Sequence, residues 1–126
     1  NQIIVGTTVQ AVAEALLFAS KAGADPHKVR EALMGGAAAS LILDNHGQRM
    51  LARDFDASFR AELQRKDLGL AVDAARDLGL VLPNATTAWQ LYHSCVAHGD
   101  GDADHIAVLK VLERLTGHTL TGGEGD

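Results

Sequence analysis

The run from Ile3 to Ala22 is almost wholly apolar or small, with Glu14 and Lys21 its only charged residues. Val5, Val9, Val12 and Leu16 share one helical face, and Ile4, Ala13, Leu17 and Phe18 add apolar surface on other sides. A helix so apolar around its circumference must be packed on several sides, by its own domain, another domain or another subunit. It is nearly long enough to cross a bilayer. Glu14 in its middle, the nearby Thr7, Thr8 and Gln10, and the abundance of small alanine favour a buried core helix instead. The chain opens on Asn1 in mid-pattern, without Met or a signal-type charged region, so the expectation is an excised piece of a longer protein.

The chain's 126 residues suffice for one domain with a real core and not for two. With aromatics at 4%, that core must rest on Leu, Val, Ile and Ala, a composition that reads as helix. A net charge of −5 with scattered basic residues argues against a nucleic-acid surface and against an anionic membrane. A single cysteine, Cys95, closes no internal disulfide, so the expected setting is cytoplasmic.

Punctuation divides the rest into further helices. Gly23 closes the first, and Asp25-Pro26 opens a second, an acceptor for free backbone N–H groups followed by a residue with no N–H to satisfy. That helix runs to Gly35-Gly36. A short apolar turn over 41–43 and a short helix or turn over 44–51 follow. After a loop at 53–56, a long helix is expected from about Phe59 to Leu78, with Leu63, Leu70, Ala74 and Leu78 on one face and Gly79 at its end. Another covers about Thr86 to Ala97, and a last one about Ala103 to Leu115. No stretch sustains strand alternation. The expectation is an all-α single domain of about five to six helices over residues 1–117, with a disordered tail over 118–126.

No strand leads into G-x-G-x-x-G and no G-x-x-x-x-G-K-[ST] occurs, so the 126 residues carry no recognisable phosphate-cradling loop. Asp100, Asp102 and Asp104 alternate as at the start of an EF-hand, but His105 stands where the loop requires Gly and Val111 where it requires Glu. A helix N-terminus is the better reading. His93, His98 and His105 match no common metal-ligand spacing, read as surface or capping residues, and give no metal site. Cys95 reads as a small core residue. Glu62 and Lys66 stand four apart in the order that favours a helix ion pair. Phe59, two turns before Lys66, would place an aromatic plate and a cation on one face, where a ring and a phosphate could bind. Spacing leaves both readings of Lys66 open.

Asn1-Gln2-Ile3-Ile4-Val5, the stretches from Glu14 to Leu33 and Gly35 to Phe55, "FRAELQRKDLGLA" from Phe59 to Ala71, Leu82-Pro83, and "GDADHIAVLKVLERL" from Gly101 to Leu115 together resemble the β-hydroxyacid dehydrogenases. The resemblance covers about residues 1–117. The Asn1-Gln2 opening and the Ala-Asp-His ending look like the tartronate semialdehyde reductase (2-hydroxy-3-oxopropionate reductase) branch, with 3-hydroxyisobutyrate dehydrogenases the near alternative.

The resemblance implies the helical C-terminal substrate and dimerisation domain of a two-domain enzyme of the 6-phosphogluconate-dehydrogenase type. In such enzymes an N-terminal Rossmann domain binds NAD or NADP, and a hydride passes between nicotinamide and a small hydroxyacid or its semialdehyde. The family's catalytic lysine would stand a few positions before Asn1, so no catalytic residue falls within these residues. Carried over by position, Asn1 and Gln2 orient substrate, and Phe59, Lys66 and Asp67 face the cofactor. The family usually has Asn where Gln2 stands. The implied partners are the Rossmann domain, a small hydroxyacid and a second copy of the chain. A non-catalytic helical binding or oligomerisation module is the rival. The 126 residues alone are expected to be inactive.

Overall fold

The computed structural model describes residues 1–120. The described residues contain six α-helices and one 3-10 turn: α1 (Gln2–Lys21), α2 (Pro26–Leu33), α3 (Leu41–Leu51), α4 (Ala61–Leu78), α5 (Pro83–Ala97), the turn His105–Ala107, and α6 (Val108–Thr116). The all-α expectation holds. The starts follow local chemistry: Asp25 accepts from His27 N at 2.9 Å ahead of Pro26, and Ser40 accepts from Leu43 N at 2.8 Å. Gly79 and Gly117 close α4 and α6 in the left-handed conformation, at φ 72° and 68°.

α1 is the hub and packs against all five other α-helices. It is long and apolar enough to cross a membrane by length and composition. That apolarity is used in the core, where Val9, Val12, Ala13, Leu16 and Leu17 are buried with Met50, Leu68, Tyr92, Ile106 and Leu109. Cys95 lies in this core as expected, its thiol pushed up to about 11 chiefly by burial, which keeps it protonated.

Five expectations change. Leu41 to Leu51 is one helix, because the Ser40 cap starts the turn before the apolar residues rather than after them. α5 begins at Pro83, which suits a first helical position better than Thr86 does. α4 begins at Ala61, leaving Phe59 in the preceding loop. There Ala61 N and Glu62 N donate to Ala103 O and Gly101 O at 2.8 and 3.0 Å, an end-to-end tie to the segment before α6. Residues 118–120, expected to begin a disordered tail, pack back on α6. Leu120 is buried and its N–H donates to Glu113 Oε2 at 2.6 Å, a carboxylate that also holds Arg53. The remainder of that tail lies outside the described residues.

The fifth change concerns which side of α4 faces inward. Ala61, Gln64, Leu68 and Ala75 form the buried face, whereas Leu70 and Leu78 are largely exposed. Both stripes have helical spacing, and α1 closes on the one that carries the smaller and polar residues. Leu68→Ala is therefore expected to cost ~2–5 kcal/mol in urea unfolding, the usual range for a fully buried leucine. Leu70→Ala, at 61% exposure, should change stability by less than ~0.5 kcal/mol. Equal effects would restore the other face.

Candidate functional site

The first turn of α1 meets the first turn of α4 through side-chain amides. Asn1 Nδ2 donates to Gln2 Oε1 at 2.7 Å, and Gln2 Nε2 donates to Gln64 Oε1 at 2.7 Å. Gln64 Nε2 returns a longer bond to the Gln2 main-chain carbonyl at 3.4 Å. Gln64 is wholly buried and Gln2 partly so. The close approach depends on Gly6, where a Cβ would collide with Gln64 Nε2 and sit 3.0 Å from Leu68 Cδ1. Asn1 and Gln2, expected together, are together. Gln64 was missed, because it opens the polar run Gln64-Arg65-Lys66-Asp67 and nothing in the sequence marks it as the buried member.

Lys66 is exposed, two residues past Gln64, and a two-residue step turns a helix by ~200°, so it points away from α1. With Arg65, Gly69 and Arg76 of α4 and Trp89 and His93 of α5 it lines an open cleft of about 340 Å³. Trp89 lies against Gly69, whose added Cβ would stand 3.1 Å from the indole nitrogen, and its ring stacks on His93 at 5.5 Å. The expected Glu62–Lys66 pair is absent. Glu62 instead takes Arg60 at 2.9 Å, and among the described residues no carboxylate reaches ion-pair distance of Lys66. The lysine is therefore available to an anion. Asp67 follows it, partly buried.

Phe59 does not share a helical face with Lys66. Its ring sets edge-on against His105 at 5.3 Å, and His105 in turn meets His46 edge-on, with Nε2 to Nε2 at 3.1 Å. His105 is thus a buried residue and not the surface or capping histidine its spacing suggested. His93 and His98 do lie at the surface, the latter with Nδ1 2.8 Å from Ser94 O. Asp104, beside His105, is fully buried. Its Oδ1 accepts from Ser58 N, Phe59 N and Ser58 Oγ at 3.0, 3.0 and 3.1 Å, and its Oδ2 from Ile106 N at 3.0 Å. Arg49 adds an ion pair at 3.2 Å. The helix-start reading of Asp104 holds. Asp100 and Asp102 are used separately, against Lys110 and Arg60.

Burial alone would raise the Asp104 pKa. The N–H groups of Phe59, Ile106 and Ser58 and the neighbouring His105 outweigh it and hold the carboxyl below its usual value. His105 is lowered to about 4, first by burial and then by His46 and Arg49, against the pull of Asp104. His46 is lowered too, mainly by burial. Two facing Nε2 atoms share one hydrogen, so the folded pair disfavours the doubly charged state that the unfolded chain reaches. Where the unfolded state binds more protons, stability rises with pH. The histidine pair should therefore cost stability as pH falls from about 6.5 towards about 4, and protonation of the lowered Asp104 carboxyl should continue the loss below that. Urea midpoints across that window test it, and His105→Met should flatten the slope; an unchanged slope would locate the effect elsewhere.

Comparison with known proteins identifies the setting of these residues. The family model described as NAD-binding of NADP-dependent 3-hydroxyisobutyrate dehydrogenase matches residues 1–112. The 2-hydroxy-3-oxopropionate reductase of Escherichia coli (strain K12) is 52% identical over 120 residues, covering 95% of this chain and 41% of that protein. A probable mitochondrial 3-hydroxyisobutyrate dehydrogenase-like protein of Arabidopsis thaliana is 44% identical, over 91% of this chain and 34% of its own length. The crystal structure of a 3-hydroxyisobutyrate dehydrogenase from Salmonella typhimurium superposes with a TM-score of 0.84 at 31% identity, over 87% of this chain and 39% of that one. The chain thus spans between about a third and two fifths of the length of these relatives.

Proposed function

The chain belongs to the 3-hydroxyisobutyrate dehydrogenase family, and we propose that it is the helical C-terminal domain of an NAD(P)-dependent 3-hydroxyacid dehydrogenase or reductase. The substrate we assign is tartronate semialdehyde, reduced to glycerate, with 3-hydroxyisobutyrate-type oxidation the neighbouring chemistry. The observation that carries this reading is the 52% identity to the Escherichia coli reductase over nearly the whole chain. The setting we propose is cytoplasmic.

The side chains suit these roles. Asn1 and Gln2, at the exposed tip of α1, offer neutral amide donors and acceptors. Such groups orient a small hydroxyacid without competing for a proton. Lys66, a cation with no carboxylate partner among the described residues and next to Arg65, suits an anionic or carbonyl group of a nicotinamide dinucleotide. When bound, that cofactor supplies or accepts the hydride. Phe59, pinned by Asp104 through its own N–H, lies partly buried in the loop before α4 with its ring edge-on to His105, apart from the cleft at Lys66. The 126 residues contain no glycine-rich loop, so nucleotide binding is assigned mainly to a Rossmann domain joined to α1.

We assign a second copy of the chain to the apolar surface shared by α1 and α6. Phe18 and Leu115 are 77% and 70% exposed, and with Leu17 and Leu112 they line a groove of about 400 Å³. Light scattering should show a dimer or larger species that Phe18→Glu converts to monomer; a monomeric parent chain would refute this.

Activity supplies the main test. The two-domain enzyme should oxidise reduced nicotinamide cofactor on a small semialdehyde, and these 126 residues alone should not. Lys66→Ala should raise the cofactor KM about tenfold, the worth of a charge-assisted bond of ~1.5 kcal/mol, with unfolding unchanged. Turnover by the chain alone, or a Lys66 variant that loses only stability, would overturn the assignment.

A further inference from the structure

Gln64 occupies a core position on α4, where an apolar side chain would be the ordinary choice, and it is fully buried. Both ends of its amide are committed to one residue. Its Nε2 donates to the main-chain carbonyl of Gln2 at 3.4 Å, so its Oε1 is the end that faces the Gln2 side chain and accepts from Nε2 at 2.7 Å. An amide has one acceptor end and one donor end. With its nitrogen turned inward to Gln64, Gln2 must turn its Oε1 the other way, where it meets Asn1 Nδ2 at 2.7 Å. The direction of each bond in the row Asn1–Gln2–Gln64 is therefore set from its buried end. A Cβ at residue 6 would collide with the Gln64 amide where it now lies, so glycine there leaves it this position. This is a device for holding one rotamer and one amide orientation at the tip of α1.

We propose that Gln64 is the positioning residue for Gln2: it fixes which end of the Gln2 amide is presented to the substrate, without itself touching substrate or cofactor. The proposal rests on the substrate-orienting role assigned to Gln2 above. Orientation errors of this kind lower turnover steeply without weakening the binding of a cofactor held elsewhere.

The experiment is a double-mutant cycle in the two-domain enzyme that carries this chain, with Gln2→Ala, Gln64→Met and both together. Methionine fills the volume of Gln64 and accepts no strong hydrogen bond. Gln64→Met should lower kcat/KM for the hydroxyacid about tenfold. Its nicotinamide cofactor Kd should be unchanged and its urea midpoint no lower, since an apolar group replaces a buried polar one. In the Gln2→Ala background Gln64→Met should have no further effect. Full activity of Gln64→Met beside a slowed Gln2→Ala overturns the proposal, and so does the same fold-loss in both backgrounds. The latter would mean that Gln64 acts through the core. Gln2→Ala with unaltered turnover would remove Gln2 from the substrate site and take the proposal with it, a result distinct from either of the others. Should Gln64→Met lower the midpoint, the cycle still decides, because a general loss of stability would not vanish when Gln2 is already truncated.

Discussion

The buried Asp104 carboxylate is the joint on which the loop-bearing side of the domain turns. A carboxylate without water is costly to bury unless its lone pairs are filled. Here they are filled from three directions: the loop before α4 through Ser58 and Phe59, the turn before α6 through Ile106, and α3 through Arg49. The same arginine reaches the carbonyls of Asp54 and Asp56 and the Ser58 hydroxyl, so the whole 54–59 loop is held by one anion and one cation. This explains why α4 starts where it does. Phe59 N is taken by Asp104 and His105 N by Phe59 O, so the backbone bends at residues 58–59, is extended at Arg60 and turns helical only at Ala61. It also fixes the Phe59 ring against the His105–His46 pair.

The second constraint is the closeness of α1 and α4 at Gly6. Two helices normally approach through side chains; a glycine lets a neighbouring side chain lie against the bare backbone. Leu68 and the Gln64 amide fill that gap, so the apolar core and the polar tip of α1 are built by the same two turns of α4. A polar group at the end of a core helix is thereby held with the rigidity of the core, which is the property an orienting residue needs.

Much of this was legible in the sequence and some was not, for reasons that lie in particular residues. The apolar circumference of α1, the Asp25-Pro26 start and the Gly79 stop were readable because each has one dominant physical interpretation. The inward face of α4 was not. Leu63, Leu70 and Leu78 make as good a stripe as Ala61, Leu68 and Ala75, and only the partner helix decides between them. Likewise Asp104 looked like an ordinary helix-start aspartate, because its donors lie some 45 to 55 residues away in the chain. The Gln2 and Lys66 assignments came from resemblance to a family, and spacing alone did not supply them. The ion pair that spacing did suggest for Lys66 is taken by Arg60 instead.

That last substitution of partners bears on how one helix can serve two ligands. On α4 the residues at 64 and 66 differ by a step that sends them to opposite sides of the helix. Gln64 looks to α1 and, through Gln2, to the position proposed for substrate; Lys66 looks to the open cleft beside Trp89. A salt bridge from Glu62 would have tethered Lys66 along the helix surface. Arg60, standing just before α4, takes Glu62, and among the described residues no carboxylate pairs with Lys66. The short motif around Lys66 therefore works by opposition: its inward member is committed wholly to the fold, and its outward member is kept free of the fold. Under the proposed assignments α4 would carry the cofactor contact at Lys66 and, through Gln64, hold the Gln2 amide of α1, so that one stiff helix relates the two positions by its own geometry.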